Sequence, residues 1–334
     1  MGRQRKALLM ASNLNAPASQ APMQTSDAVI AWLMSSDPAV RWQVMRDLSE
    51  QPDDAVARER ARVAHEGWGA RLLELQAPDG HWGGGAFVPR SWASTLETLV
   101  MLRLLGAEPS SAPVQRAIEL VADRCTWGAE FGDSAFFEGE VEPCINGRAL
   151  LCGAYFGKPS DRLAERLLGE QLADGGWNCK APPSQRSSFH STLCVLEGLL
   201  EYERARGPSP AVARARARAH EYLLERSLFR RLSTGEIIHP SWLLLAFPTR
   251  WRYDILRGLD YLRRAGAEPE PRLAQAVALV DGKRDPSGRW LLEQRHEGAV
   301  HFEMEDAVGL PSRWNTLRAL RVLRWYSGAP MSAS

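Results

Sequence analysis

The segments Pro143-Cys-Ile-Asn-Gly-Arg-Ala-Leu150 and Phe189-His-Ser-Thr-Leu-Cys-Val-Leu196 read as two copies of one pattern. Outward from them the same frame returns. Arg41-Trp-Gln-Val-Met-Arg-Asp-Leu48 matches Arg252-Tyr-Asp-Ile-Leu-Arg-Gly-Leu259 most clearly. Arg313-Trp-Asn-Thr-Leu-Arg-Ala-Leu320 and Trp92-Ala-Ser-Thr-Leu-Glu-Thr-Leu99 complete the set. The third residue of each copy serves as an anchor: Gln43, Ser94, Ile145, Ser191, Asp254 and Asn315. The anchors lie 51, 51, 46, 63 and 61 residues apart, room for two helices and their turns. Self-similarity at such a period marks a repeat architecture.

Each copy continues as an apolar helix with little polar relief, as in Leu99-Val-Met-Leu-Arg-Leu-Leu105 and Ala149-Leu-Leu-Cys-Gly-Ala-Tyr-Phe156. A helix apolar on most sides is buried. Several stop at a Gly followed closely by Pro: Gly106 with Pro109, Gly157 with Pro159, Gly266 with Pro269. That pairing marks helix C-termini. The segments before the copies, such as 113–123, 160–171 and 271–280, are more amphipathic. An inner apolar helix and an outer amphipathic one, six times over, predict an all-α chain: an α/α toroid of six helix pairs in a single domain. An open helical solenoid is the alternative. The expected boundaries are a disordered lead-in over 1–26, the toroid over 27–328 and a short tail over 329–334.

A second periodic feature falls between outer and inner helices. Gln76-Ala-Pro-Asp-Gly-His-Trp82 and Gln171-Leu-Ala-Asp-Gly-Gly-Trp177 share Gln, five residues, Trp, and Arg284-Asp-Pro-Ser-Gly-Arg-Trp290 is a degraded third copy. Gly supplies the tight turn, Trp packs over it, and Gln can bond the turn's backbone. The pattern is a clasp between neighbouring repeats.

These clasps resemble the repeats of terpenoid cyclases of the squalene–hopene type and of protein prenyltransferase β subunits, over about residues 27–328. The resemblance implies the α/α toroid, and more weakly an activity: transfer to, or cyclisation of, a hydrophobic isoprenoid-like substrate in the central cavity. The Asp-X-Asp-Asp run with which squalene-type cyclases protonate their substrate is missing from the sequence, Glu303-Met-Glu-Asp306 being the nearest approach with the wrong acids at its first two acidic positions, and with one toroid rather than two this argues against ordinary squalene cyclisation. Asp53-Asp54 is followed by Ala-Val-Ala rather than by the Asp of metal-dependent terpene synthases.

The prenyltransferase comparison implies a zinc site. That family holds its metal with an Asp-X-Cys at the start of one inner helix and a His at the start of the next. Here Glu142-Pro-Cys144 precedes the third inner helix, with Glu in place of Asp, and Phe189-His190 opens the fourth. The repeat frame supports the pairing separately, because Cys144 and His190 each sit one residue before their anchor. Thiolate and neutral imidazole are preferred zinc donors. Cys179, on the connecting turn, could complete a Cys-Cys-His set, leaving Glu142 as an outer partner or a base. Cys125, Cys152 and Cys194 fall on helix bodies and read as core.

Three positions beyond the anchors stand Arg46, Arg148, Arg257 and Arg318, interrupted by Glu97 and Cys194. Four guanidinium groups at one level either bind an anionic substrate or pair with carboxylates between helices. Arg148, one turn past Cys144, is the foremost candidate for a substrate contact. Tyr253 and Trp314 are aromatic candidates for lining a cavity, with packing between helices as the alternative. His301, Glu303 and Glu305 alternate ahead of the sixth copy and are candidates for acid–base work.

Composition sets the outer limits. A chain of 334 residues, 45% hydrophobic, can bury a large core, and a net charge of +1 leaves no nucleic-acid footprint. Five cysteines, an odd number, argue against a disulfide framework and fit a cytoplasmic setting. Ala7-Leu-Leu-Met10 is too short an apolar run for a secretion signal, and no run approaches the roughly 18 residues that span a bilayer. A partner subunit is implied only by the prenyltransferase comparison. Metal-assisted hydrolysis, and a non-catalytic toroid with structural zinc, are the other functions this pattern admits.

Overall fold

The computed structural model describes residues 26–328, and the expected lead-in and tail lie outside this range apart from Ser26. The chain is all-α. Its helices are α1 (Asp27–Met34), α2 (Pro38–Asp47), α3 (Asp53–Ala61), α4 (Gly67–Glu74), α5 (Thr95–Leu105), α6 (Ala112–Arg124), α7 (Pro143–Tyr155), α8 (Asp161–Gly169), α9 (Phe189–Arg206), α10 (Pro210–Leu224), α11 (Ile255–Arg264), α12 (Ala274–Asp281) and α13 (Arg313–Tyr326). Extended pairing among the described residues is limited to isolated bridges. No helix among them is long and apolar enough to cross a membrane.

The six anchors fall at the starts of α5, α7, α9, α11 and α13 and within α2, each preceded in the chain by another helix, shorter or more amphipathic at every anchor but that of α11, where α10 is the longer of the two. That is the outer–inner alternation the α/α class requires. Burial follows it: in α9 every residue from Ser191 to Glu201 is buried, whereas α8 buries only Leu163, Ala164 and Leu167. Gly106 ends α5 in the left-handed region at φ 86°, its own N–H and that of Ala107 returning to the Arg103 and Leu102 carbonyls.

The residues gather into two compact units. Among the described residues, one comprises 26–56, 223–296 and 304–328; the other comprises 57–222 and 297–303. In the second, the segment 297–303 is held by Trp92, whose backbone N–H donates to the Ala299 carbonyl (2.7 Å) and whose indole N–H donates to that of Glu297 (2.8 Å).

The clasps form as their sequence predicts. Gln76 Nε2 donates to the Gly80 carbonyl (2.9 Å) across its turn and to Ala117 on α6 (3.0 Å). Gln171 does the same to Gly175 (2.7 Å) and to Ala215 on α10 (2.8 Å). Gly80 and Gly175 adopt φ 89° and 99°, and a Cβ at either would strike a carbonyl oxygen of the adjoining outer helix. Trp82, Trp177 and Trp290 are fully buried, each indole N–H donating to a helix carbonyl: Leu72, Leu167 and Val280. The sequence reading missed a further element. The backbone N–H of each Trp donates to a threonine one residue past an anchor: Thr95, Thr192 and Thr316. The recurring Ser-Thr and Asn-Thr pairs were its signal.

Candidate metal centre

α7 and α9 approach closely because glycine faces glycine. A Cβ on Gly147 would lie 2.6 Å from the Cys194 carbonyl oxygen and 2.7 Å from Val195 Cα, and one on Gly198 would strike the Gly147 carbonyl. The face of α9 turned to α7 therefore runs Cys194, Val195, Gly198, and by helical spacing back to Ser191.

At the N-terminal end of this contact, Glu142, Cys144 and Cys179 converge. One carboxylate oxygen and the two sulfurs all lie within 4.8 Å of one another. Glu142 is exposed and both cysteines are partly buried. Cys144 Sγ is 3.5 Å from Glu142 Oε2. Glu142 occupies the cap position of α7 but makes no side-chain cap bond. Instead the Cys144 backbone N–H, one of the donors a helix start leaves over, points at Cys179 Sγ (3.4 Å). Ser191 Oγ lies 3.2 Å from the same sulfur and accepts the Cys179 backbone N–H at 3.3 Å. The loop carrying Cys179 is shaped by Asn178, whose side chain donates to Ser184 Oγ (3.0 Å) and the Arg186 carbonyl (2.7 Å).

The two thiols titrate as a pair. The hydrogen bond to Cys179, and then burial, push the Cys144 thiol up. The Cys179 thiol is drawn down, first by the Cys144 hydrogen bond and then, against burial, by Ser191 and the Cys144 backbone N–H.

His190 is not a member of this group. The repeat frame sets it level with Cys144, but level is only half of position. Ser191 lies on the face that meets α7, and His190 is one residue, about 100°, further round the helix. Two residues that the sequence reading passed over shape the centre. Ser191 reaches Cys179. Glu140, buried, accepts the Glu142 backbone N–H (2.7 Å) and that of Val141, while Asn146 Oδ1 accepts the Glu140 N–H (2.7 Å). The alternation Glu138-Gly-Glu140-Val-Glu142 was the available sign.

The arginine row has protein partners. Arg148 Nη2 is 2.7 Å from Glu97 Oε1, both side chains almost wholly buried, so the residue that interrupts the row at α5 is the counter-ion of the one on α7. Arg257 donates to the Arg252 carbonyl (2.8 Å). Arg318 donates to that of Ala246 (3.3 Å) and lies 3.9 Å from Asp254. Arg46 pairs with Asp47 (2.6 Å) over the Trp42 ring. Burial opposes ionisation of Asp47, but Arg321 and Arg46 outweigh it and hold the carboxyl at about 2.

Tyr253 and Trp314 are 2% and 1% exposed and pack within the core. The Tyr253 hydroxyl donates to the Leu228 carbonyl (2.7 Å), and Trp314 stacks on Phe247 with centroids 4.7 Å apart. His301 Nε2 lies 2.9 Å from Thr98 Oγ1 of α5, and Glu303 is exposed. Glu305 caps α13, accepting from Ser312 Oγ (2.7 Å) and the Trp314 backbone N–H (2.9 Å). Burial nonetheless raises its carboxyl above the ordinary glutamate value. Cys125, Cys152 and Cys194 are buried, as their helical positions imply.

No protein-family profile and no curated protein matches this chain. Solved structures similar to it include three of the type II terpene cyclase MstE from Scytonema. An arginine-to-alanine variant in complex with geranylgeranyl dihydroxybenzoate, its substrate, has a TM-score of 0.45 and 15% identity, covering 98% of both chains. An aspartate-to-asparagine variant with the same substrate has a TM-score of 0.41 and 13% identity, covering 98% of this chain and 96% of that one. A tyrosine-to-phenylalanine variant without ligand has a TM-score of 0.40 and 14% identity, covering 99% and 98%.

Proposed function

We propose that this protein is a zinc-dependent enzyme of the terpenoid cyclase and prenyltransferase-like toroid class, acting on a hydrophobic, isoprenoid-like small molecule. The observation that carries the reading is the convergence of Glu142, Cys144 and Cys179. The donors suit the metal: two sulfurs about 2.3 Å from a tetrahedral zinc stand roughly 3.8 Å apart, compatible with donor atoms that all lie within 4.8 Å of one another, and a carboxylate completes a three-ligand set with a position to spare. Bound zinc would supply a Lewis acid, or lower the pKa of a water or thiol that it holds.

The chain's own residues prepare the centre. Ser191 and the Cys144 backbone N–H face the Cys179 sulfur, donors that favour the thiolate a metal needs. Glu140 fixes the backbone at Glu142, so the exposed carboxylate is aimed by a buried one. Arg148, closed in its pair with Glu97, supports the α5–α7 packing, which leaves recognition of an anionic group to other residues.

A second reading is favoured by Glu305. Burial raises its carboxyl above the ordinary glutamate value, the direction an acid catalyst needs, and it stands in the Glu303-Met-Glu-Asp306 run that approximates the acid motif of squalene-type cyclases. Cyclisation would then start from acid and need no zinc.

One experiment separates the two. Zinc-loaded and chelator-treated protein are each incubated with C15 and C20 isoprenoid substrates, and products are followed by mass spectrometry. The zinc reading predicts turnover that falls on the order of 100-fold with chelator or in Cys144→Ala. Turnover indifferent to chelator and abolished by Glu305→Gln overturns it in favour of the acid.

A further inference from the structure

We propose that Cys144 and Cys179 form a reversible oxidative modification site, closed to a disulfide by hydrogen peroxide. The proposal uses residues of the metal reading but does not depend on a metal being bound.

Three of the five cysteines are sealed in the core, with exposures of 1% or less at Cys125, Cys152 and Cys194. Only Cys144 and Cys179 are partly exposed, and these two are neighbours. Their sulfurs lie within 4.8 Å, and Cys179 Sγ is 3.4 Å from the backbone nitrogen of Cys144 itself. The Cys179 sulfur therefore already lies beside the backbone that carries Cys144, and closure asks the two sulfurs to move from within 4.8 Å to a bond of about 2.05 Å.

The surroundings assign different parts to the two sulfurs. Cys179 lies against the first turns of two helices, receiving the Cys144 N–H at the start of α7 and facing the Ser191 hydroxyl at the start of α9. Two groups thus face the Cys179 sulfur, the Cys144 N–H at 3.4 Å and the Ser191 hydroxyl at 3.2 Å, and on this geometry Cys179 is assigned as the nucleophile. Its sulfur attacks one peroxide oxygen; the S–O bond forms, the O–O bond breaks, and the departing hydroxide takes up a proton to leave as water. Cys144 is the resolving thiol. Its sulfur is 3.5 Å from Glu142 Oε2, and that carboxylate can receive the thiol proton. The Cys144 sulfur then attacks the Cys179 sulfur, the S–O bond breaks, and hydroxide leaves with a proton as a second water. Two thiols lose two electrons and one peroxide becomes two waters. Thiol reductants reverse the change.

The test uses the full chain, once stripped of metal by chelator and once loaded with zinc, treated with hydrogen peroxide and mapped by differential alkylation and mass spectrometry. The expected result in metal-free protein is one cross-link between the Cys144 and Cys179 peptides, with two of the five thiols lost and both restored by dithiothreitol. Cys144→Ser should halt at a sulfenic acid on Cys179, trapped by dimedone. Cys179→Ser should slow thiol loss about tenfold or more. Wild-type protein in which both thiols remain alkylatable, or in which Cys179 passes to sulfinic acid without the cross-link, overturns the proposal. The zinc arm bears on the other reading: if the same sulfurs hold metal, oxidation slows about tenfold or more on loading. Equal rates with and without zinc count against the metal and leave the dithiol site standing.

Discussion

The clasp around Trp82 and the clasp around Trp177 are built from one set of bonds and do different things. In each, a Gln closes its turn and reaches the next outer helix, a Trp is buried under a helix carbonyl, and a Thr receives the Trp backbone N–H. Two residues past the Trp they part. The first clasp has Gly84, where an added Cβ would meet nothing within 4 Å; the second has Cys179, facing the start of α7. The third clasp carries Leu292 there, in the core. The position is tied to none of the clasp's bonds, so chemistry can be written on it without disturbing the fold.

This comparison is broken most severely by removing either tryptophan. Trp82→Ala and Trp177→Ala should each cost about 3–5 kcal/mol, read as matching losses in thermal or denaturant midpoint. A much smaller cost for Trp177 would show that its clasp is maintained for the site rather than the fold. Gln76→Ala and Gln171→Ala should each cost less, about 1–3 kcal/mol, since two carbonyls lose their donor. Equal losses sharpen the parallel. A loss at Gln171 alone, accompanied by a change in the reactivity of Cys179, would contradict it.

The helix pairs were legible because the apolar runs of the inner helices and the Gly-Pro stops after them are local signals. The work of Gln76 and Gln171 was legible because their turns fixed what lay within reach. Rotation about the helix axis was not. It is set by Gly147 and Gly198, which let α7 and α9 meet on one face, and by helical spacing that face takes Ser191, one residue past His190. Charge pairing was hidden in the same way. Glu97 looked like a gap in a row of arginines, yet it is the partner of Arg148, because equivalent positions on neighbouring helices face one another. Glu140 escaped notice because its effect passes through the backbone of Glu142.

The claim beneath this account is that the donors of the centre are Glu142, Cys144 and Cys179. Zinc content of protein purified without chelator tests it directly, alongside Cys144→Ala, Cys179→Ala and His190→Ala. The account predicts about one equivalent in wild type and in His190→Ala, and little in either cysteine variant, with the fold retained in all. Less than about half an equivalent in wild type, or loss of the metal in His190→Ala with retention in Cys179→Ala, would contradict it.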